Sequence, residues 1–484
     1  MGLRTWLRNK VGRPKATFEA ARTDRLTADF LTPQTSADAA LKGSLAKLRN
    51  SARELARNNC HAREIKRTYR INVIGARGIQ LQPQVKNVAG TELDDRRNNL
   101  IAEEWKRWCR RDSCDVTGLH SFHGFELQAV GAWVESGEVF FRIVRRPFGR
   151  SRIPLALEMI EADRLDEHYS GLSDRAGHTW RMGIEYNEWG RPTRYKFLVT
   201  HPGDFELANR QAAYKHVTVD AADIIHCHGL PERVGQTRFE PVLTPAIVQA
   251  QALASYQKSH LTRKRVQANQ LGFIQTPEGL EGDAVFDDRR VLDSEPGQYF
   301  RLNPGEVPVA PNLGPEDTSY ADVLKDNLRT QAVGVGVNYS TLSGDFSEGS
   351  YASLRISVFE QRDHWRLLHT QIIEQFHQRI YEEWLMAAIM VGVLPSPTFD
   401  DFWFRPERYT YPTWQSRSWG LLDVSKDISA YEKARELQLE THAEQISNYT
   451  GGDFRRTMDQ IATVRQYKQQ RELLMPVDDP SQAG

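Results

Sequence analysis

The chain has 484 residues, of which 40% are hydrophobic and 26% are charged, and its 63 basic and 63 acidic side chains give a net charge of zero. This length exceeds what a single compact core usually organises, and the composition is that of a folded protein, which excludes a largely disordered chain. The neutral total also excludes a bulk electrostatic preference for nucleic acid, so any contact with DNA must come from local patches.

The N-terminal third of the sequence changes pattern several times. Residues 1–45 are basic and then rich in Thr, Ser and Ala, which predicts a mobile arm. Apolar residues recur at helical spacing from Ser44 to Ile74, with a break at Asn58-Asn59. The two glycines and the alternation between Gly75 and Pro83 predict a turn into a strand, and Glu92 to Trp108 predicts another helix.

The middle of the chain has a different character. Residues 120–230 contain β-branched and aromatic runs at Gly137–Val144, Arg194–Val199 and Ala222–His228, which predict a β-rich lobe. Helical spacing returns from about Pro241 to Gln270, and Gly, Pro and acidic residues then dominate an insert over 272–317.

The C-terminal third is predicted to be mainly helical. A helix is predicted over 319–333, and a polar break follows at 337–349. A long amphipathic helix comes next, in which large apolar side chains recur every four residues: Ile372, Phe376, Ile380 and Trp384. A charged helical section is predicted from Tyr431 to Gln470, and the tail after Pro476 is predicted to be disordered. The fold class that follows is α+β, with several lobes.

Redox and targeting signals are weak. The four cysteines form neither a CxxC pair nor a disulfide framework, so reduced thiols in a cytoplasmic protein are expected. The basic N-terminus is not followed by the apolar stretch of a signal peptide, and no run of about 18 apolar residues exists. The sequence therefore predicts no membrane association.

His226-Cys227-His228 is the candidate metal-ligand set of the sequence. On a strand only His226 and His228 share a side, and two ligands do not complete a zinc site. No P-loop, nucleophile elbow, HExxH or dinucleotide fingerprint occurs either. A structural role for the pair is favoured, and no catalytic residue, metal or cofactor is expected. The alternative is a metal-dependent nucleic-acid-processing enzyme that uses these histidines with nearby carboxylates.

The helix over 241–270 has an unusual charge pattern. No acid occurs between Pro241 and Pro277, whereas four basic residues cluster late in the helix: Lys258, Arg263, Lys264 and Arg265. Lys258 and Arg265 are seven apart and can share a face. On one helix this is an ordinary solvated face. Repeated around a ring it would form a positive belt that meets phosphate without reading bases, or it would pair with acidic residues of a neighbouring subunit.

The break over 337–349 is longer than a helix connection requires, which favours a functional loop. Its sequence, VGVNYSTLSGDFS at 335–347 followed by SYASLR at 350–355, resembles the signature GxxYxxLSGD(F/L)S…NYSSxR of lambda-type phage portal proteins. The second half departs from that signature, with Gly349-Ser350-Tyr351-Ala352 in place of NYSS. Further matches occur in the same order, among them 51–59, 73–82, 137–140, 160–165, 183–192 and 225–241, so the resemblance covers roughly residues 45 to 395.

The resemblance implies a division of the chain into the parts of a portal subunit. These are a mobile N-terminal arm (1–44), a wing (45–237), a first stem helix (238–271), a small α/β clip (272–317), a second stem helix (318–336), a tunnel loop (337–353), the long wing helix with its return segment (354–425), a helical crown (426–475) and a disordered tail (476–484). Lys258, Arg263, Lys264 and Arg265 become DNA-channel candidates. The tunnel-loop candidates are Asn338, Tyr339, Ser343, Gly344, Asp345, Ser347 and Glu348.

The resemblance also implies a function and partners. A portal subunit forms a ring, typically a dodecamer, whose channel at one capsid vertex passes double-stranded DNA during packaging and ejection. Its expected partners are the terminase large subunit, the major capsid protein and a head–tail adaptor. It is expected to assemble in the host cytoplasm and to end in the virion, without catalytic activity of its own.

Overall fold

The computed structural model describes residues 25, 34–87, 92–204, 215–268, 273–275, 307–309, 319–347, 349–395, 398–420, 424–450 and 454–470. Among these residues no helix combines the length and the hydropathy that crossing a bilayer requires. The helices and strands alternate in long blocks, as expected for an α+β protein, with helices at both ends and most strands between residues 138 and 228.

The first helices follow the predicted pattern. Their bounds are α1 Ala37–Leu41, α2 Leu45–Asn58 and α3 Cys60–Tyr69, which continues as a π-helical turn over Arg70–Ile74. The break predicted at Asn58-Asn59 is confirmed, because the Asn59 side chain accepts hydrogen bonds from the backbone N–H groups of His61 and Ala62 and so starts a new helix.

The end of the predicted N-terminal arm is more ordered than expected. Within 1–44 the structure describes residue 25 and residues 34–44, and the latter contain α1. Asp38 of α1 accepts hydrogen bonds from the Thr237 backbone N–H at 2.8 Å and the Thr237 hydroxyl at 2.6 Å. A helix of five residues is too short to show a period in sequence, so the expectation of a mobile arm is wrong for residues 37–41.

The middle of the chain forms two antiparallel sheets. Its elements are β1 Gln80–Gln82, α4 Asp95–Trp108, α5 Arg111–Cys114, α6 Phe122–Ser136, β2 Glu138–Val144, β3 Ala156–Glu161, β4 Gly171–Leu172, β5 Thr179–Arg181, β6 Ile184–Tyr186, β7 Pro192–Leu198, β8 His216–Asp220 and β9 Ile224–His228. One sheet has the order β3-β2-β9, and the other is the meander β4-β5-β6-β7-β8. The β-rich lobe is confirmed except for its first part, which is α6. Nine of the fifteen residues of α6 are buried, so the helix has no polar face to reveal its period.

Strand β2 lies between two apolar cores. Phe141 packs in the large core, which contains the helices, and its neighbour Phe140 packs in a smaller core with Ile184, Tyr195 and Phe197 of the meander. Successive side chains of a strand point to opposite faces, so one strand can serve both cores. The large core is rich in aromatic rings that meet edge to face, for example Trp105 and Trp384 with centroids 5.1 Å apart.

The second half of the chain contains the long helices. Their bounds are α7 Ile247–Ala268, α8 Tyr320–Gly334, α9 Tyr339–Ser343, α10 Tyr351–Ile372 and α11 Gln378–Met390, with a π-helical turn over Ile373–His377 that joins α10 to α11. The predicted helices at 241–270 and 319–333 and the long helix through Trp384 are confirmed. Short strands β10 Phe273–Gln275 and β11 Val307–Val309 pair antiparallel, and the rest of the acidic insert lies outside the described residues.

The C-terminal section contains β12 Thr413–Gln415, which pairs with β1, followed by α12 Val424–Glu436, α13 His442–Thr450 and α14 Phe454–Gln470. The charged helical section predicted from Tyr431 to Gln470 is therefore confirmed, and the structure divides it into separate helices. Gln438 has φ +57°, which ends α12, and Thr441 and Glu444 then hydrogen-bond each other's backbone N–H groups at the start of α13. Such a reciprocal capping box begins a new helix. The predicted tail after Pro476 lies outside the described residues.

Candidate functional site

Helices α7 and α8 form an antiparallel pair that carries the DNA-channel candidates. Near one end the rings of His260 and Tyr320 lie 4.1 Å apart, and further along Asn327 Nδ2 donates to Gln249 Oε1 at 3.2 Å. The pairing of late α7 residues with early α8 residues fixes the antiparallel direction. The two helices therefore flank the acidic insert and leave from it side by side.

The four basic residues of α7 do not share one face. Lys258, Lys264 and Arg265 are exposed and Arg263 is half-buried. At 3.6 residues per turn, Lys258 and Arg265 lie about 20° apart around the axis, whereas Arg263 and Lys264 lie about 140° and 120° to either side. One face of α7 therefore presents Lys258 and Arg265 together, and Arg263 and Lys264 lie on other sides of the helix.

The predicted tunnel loop has an anchored first half. Residues 339–343 form α9, and Leu342 is buried in the large core. The Asn338 Nδ2 donates to the Ser357 carbonyl of α10 at 3.0 Å, and the Tyr339 hydroxyl donates to Asp345 at 3.3 Å. The predicted break over 337–349 therefore contains a short helix, which the sequence did not reveal because five residues are too few to show a period.

The second half of the segment is exposed. Gly344 has φ +71°, the left-handed conformation that ends α9 at little cost for glycine. Asp345 Oδ1 accepts from the backbone N–H of Ser347 at 3.0 Å and from its hydroxyl at 2.6 Å, and these bonds lower the pKa of the Asp345 carboxyl. Ser343 closes the turn, with its hydroxyl donating to the Tyr339 carbonyl at 2.8 Å. Phe346 is 62% exposed, and Glu348 lies outside the described residues.

Sequence reasoning missed a buried cluster of charges at the start of β2. The Glu138 carboxylate is fully buried and accepts from Arg49 Nη2 and Arg238 Nε, both at 2.6 Å, and Nε2 of His226 lies 2.8 Å from it. Burial raises the pKa of Glu138, but Arg238, the hydrogen bond with His226 and Arg49 together lower it to about 2. Burial and repulsion by Arg238 lower the pKa of Arg49 to about 10, so the Arg49 guanidinium stays charged at neutral pH.

Arg238 connects this cluster to the chain that leads into α7. Its guanidinium also donates to three backbone carbonyls, those of Ala162, Leu165 and Met182, at 2.9 to 3.2 Å. Beside it, Gly137 has φ +84°, and a Cβ at that position would lie 2.1 Å from the Phe239 carbonyl oxygen. The backbones at Gly137 and Phe239 therefore approach each other so closely that any residue other than glycine at position 137 would clash.

The histidine pair of β9 takes part in packing. His226 is held by Glu138, and the ring of His228 stacks on Phe239 with centroids 3.6 Å apart. Burial and the neighbouring His226 lower the pKa of His228 to about 4, and its Nδ1 lies 2.7 Å from the Gly229 carbonyl oxygen. These contacts give both histidines structural partners, and they offer no support for the alternative of a metal-dependent enzyme.

A different trio of potential ligands, Glu161, Asp163 and His201, lies within 4.8 Å. Arg53 is already bound to both acids, at 2.9 Å from Glu161 and in an ion pair with Asp163. A guanidinium at this place supplies the positive charge that a metal ion would bring. The trio is therefore a neutralised ion-pair network.

A second buried acid, Glu126 of α6, was also missed. Its Oε1 accepts from the Ile79 backbone N–H at 3.0 Å and lies 2.6 Å from His377 Nε2, at the end of the π-helical turn between α10 and α11. Burial raises the pKa of Glu126, but hydrogen bonds with His123 and His377 lower it further than burial raises it. The π-helical turn thus aims a histidine at a buried carboxylate and ties the long helix to α6.

The described residues form helical and β-rich parts of one chain, with buried ion pairs where these parts meet. The family model for "Phage portal protein, lambda family" matches residues 23–368. The chain is 28% identical over 463 residues to the probable portal protein of Halomonas phage phiHAP-1, covering 93% of this chain and 87% of that one. It is 22% identical to portal protein B of Escherichia phage lambda, covering 84% and 79% of the two chains. A chain in the neck of a native gene transfer agent particle, computed with C12 symmetry, aligns with a TM-score of 0.45 at 12% identity over 84% of this chain and 92% of that one.

The chain belongs to the lambda family of phage portal proteins. This confirms the resemblance read from the sequence, and with it the portal function and the place in the virion. The expectation of a protein that is not an enzyme is confirmed as well, because the family is a structural component of the phage head.

Proposed function

We propose that this portal protein forms a ring of twelve copies whose channel, at one capsid vertex, passes double-stranded DNA into the head and out of it. The match to the family over residues 23–368 carries this proposal. The DNA is contacted without base specificity. The partners of the ring are the terminase large subunit, the major capsid protein and a head–tail adaptor. The ring assembles in the host cytoplasm before it enters the virion.

Within each copy, the proposed parts keep the boundaries that the resemblance implies. The antiparallel pair α7 and α8 is the stem, and the insert that it flanks, with β10 and β11, is the clip. Residues 45–237 with the long helix form the wing, and α12 to α14 form the crown. This division is supported by the way the two stem helices bracket one insert and join the wing at their other ends.

A ring explains the apolar side chains that one copy leaves exposed on its long helices. Val248 of α7 is 74% exposed and Val333 of α8 is 83% exposed, and Leu261, Val323 and Ile356 are also exposed. A neighbouring copy that packs against these helices would remove this apolar surface from water, which is favourable by about 25 cal/mol per Å².

We expect the purified chain to form a cyclic oligomer far heavier than one chain in size-exclusion chromatography with light scattering. Replacing Val248 and Val333 with Asp should shift the equilibrium toward smaller species, because charges would then be buried between copies. The same replacement at Leu172, which is 89% exposed in the meander sheet, is the control and should leave the oligomer intact. A protein that stays monomeric even when scaffold and capsid protein are present would contradict the proposal.

Replacing Lys258, Arg263, Lys264 and Arg265 with Gln tests the two roles proposed for the basic residues of α7. If they line the channel, rings form normally and DNA packaging or retention changes. If they pair with acids of a neighbouring copy, the ring weakens, since each exposed pair contributes about 0–1 kcal/mol and the contact repeats around the ring. The control replaces the exposed Arg57 and Arg63 with Gln. Normal assembly together with normal packaging would exclude both roles.

A further inference from the structure

Two arginine-rich segments that are distant in sequence meet on one surface of the wing. The first, residues 106–111, spans the end of α4 and the start of α5, and the second, residues 145–152, connects β2 to β3 and contains no acid. The Arg150 backbone N–H donates at 3.2 Å to the carbonyl of Asp112, which directly follows the first segment, and this bond holds the two segments together. Together they line a cleft of about 210 Å³ whose arginines are Arg107, Arg110, Arg150 and Arg152, here called the arginine cleft.

The junction between the segments depends on a glycine. Gly149 has φ +53°, and a Cβ at this position would lie 2.1 Å from the Asp112 carbonyl oxygen. The next turn is fixed by Ser151, whose hydroxyl donates to the Ile153 carbonyl at 2.7 Å. The backbone that carries Arg150 and Arg152 is therefore held against α5 by close contact and hydrogen bonds.

One buried acid orients two of the guanidinium groups. Glu104 of α4 forms ion pairs with Arg107 of its own helix and with Arg152 of the opposite segment, the latter at 3.0 Å. The Glu104 side chain is only 11% exposed, whereas both arginines remain more than half exposed. A single carboxylate cannot use all the N–H groups of two guanidinium forks, so the remaining donors face the solvent.

The other two arginines are less engaged. Arg150 is 91% exposed, and the nearest acid, Asp112, lies 3.9 Å from it. Arg110 is exposed, and within the described part of the chain no side-chain hydrogen bond or ion pair involves it. Four guanidinium groups thus meet three carboxylates, those of Glu104, Asp112 and the exposed Glu103, which lies 3.7 Å from Arg107, so the cleft carries an excess of positive charge on a chain whose total charge is zero.

The surface lacks the apolar anchors of a protein interface. No large hydrophobic side chain is exposed in residues 103–113 or 145–153, and Trp108 and Ile153 at the cleft are buried. Protein interfaces depend on exposed aromatic or aliphatic residues that fill pockets, whereas phosphate groups need planar, bidentate donors such as arginine. The composition of the cleft therefore favours a phosphodiester backbone over an acidic peptide.

We propose that the arginine cleft binds the phosphate backbone of duplex DNA, without base recognition, as a site separate from the α7 residues proposed for the channel. It rests on different residues from the proposed channel and remains testable if the channel assignment fails. Each subunit would then present DNA with a second positive surface, on the wing.

The test measures the affinity of the full-length protein for a short blunt duplex as a function of salt. Replacing Arg110 and Arg150 with Gln removes two phosphate contacts, so the affinity should fall about 60-fold at about 0.1 M salt, and the slope of log K against log salt should decrease by about 1.8. Neither arginine pairs with a buried acid, so the fold should be retained and the oligomer should elute as the wild type does. AT-rich and GC-rich duplexes should give equal affinities.

The control replaces the exposed Arg57 and Arg96 with Gln, which removes the same charge elsewhere and should leave affinity and slope unchanged. A cleft variant that binds DNA like this control overturns the proposal. So does a wild-type protein from which a glutamate-rich peptide displaces the duplex at equal charge concentration, since that result identifies an acidic protein as the ligand. Replacing the four basic residues of α7 distinguishes the cleft from the proposed channel site, because the cleft should still bind DNA in that variant.

Discussion

Replacing Glu138 with Ala is expected to lower the free energy of unfolding by about 3–5 kcal/mol, because it leaves two buried arginines without their shared carboxylate. Arg49 and Arg238 are both essentially inaccessible to solvent and cannot recover hydration without opening the core. Chemical denaturation at one fixed chain concentration measures the change, since oligomerisation adds to apparent stability. Glu103, which is 66% exposed and 3.7 Å from Arg107, is the control, and its replacement with Ala should cost less than about 1 kcal/mol.

The effect of Glu138 depends on pH in a defined direction. Its pKa is lowered from 4.5 to about 2 in the folded protein, so its stabilising contribution is fully present above pH 4.5 and is lost as the pH falls through about 2. The difference in stability between the wild type and the Glu138→Ala variant should therefore shrink over this range. A difference that is already absent at neutral pH would contradict the role assigned to the cluster.

Deleting residues 344–347 is expected to leave rings intact and to reduce genome packaging to the background of heads without a portal. These residues follow α9, and three of the four are small or acidic, so they contribute little to the core. Deletion from Leu342 onward would be less informative, because Leu342 is buried and its loss would leave a cavity costing about 2–5 kcal/mol.

The control for this deletion replaces residues 344–347 by four glycine and serine residues. It keeps the length of the segment and should package DNA if the segment acts by occupying the channel. Electron microscopy of the rings and nuclease-protected DNA in filled heads are the two measurements. Normal packaging by the deletion variant would contradict a role of residues 344–347 in the channel.

Sequence patterns predicted the long elements well, because each has a period of its own. The helices on either side of Asn59 and the long helix through Trp384 repeat apolar residues over several turns. The short helices α1 and α9 and the break between α12 and α13 were missed. A helix of five residues is too short to show a period, and the start of α13 depends on a single capping residue, Thr441, whose side-chain bonds leave no periodic trace.

The charge clusters could not be predicted from local pattern. Glu138 stood in an apolar run, but its partners Arg49 and Arg238 lie 89 and 100 positions away. The arginine cleft has the same origin, since 40 positions separate Arg110 from Arg150 and only contacts of the folded chain, such as the close approach at Gly149, bring them together. A buried acid in a strand is the one signal that points to such a cluster, because it requires a cationic partner from somewhere in the fold.

Strand β2 also has a consequence for how the protein unfolds. Phe140 and Phe141 are adjacent in one strand and belong to the two different cores. Unfolding of either core therefore disrupts strand β2 and removes packing contacts from the other core. Glu138, at the start of the same strand, adds an ion-pair joint between them. The helical layer and the meander sheet therefore form one cooperative unit rather than two independent folding domains.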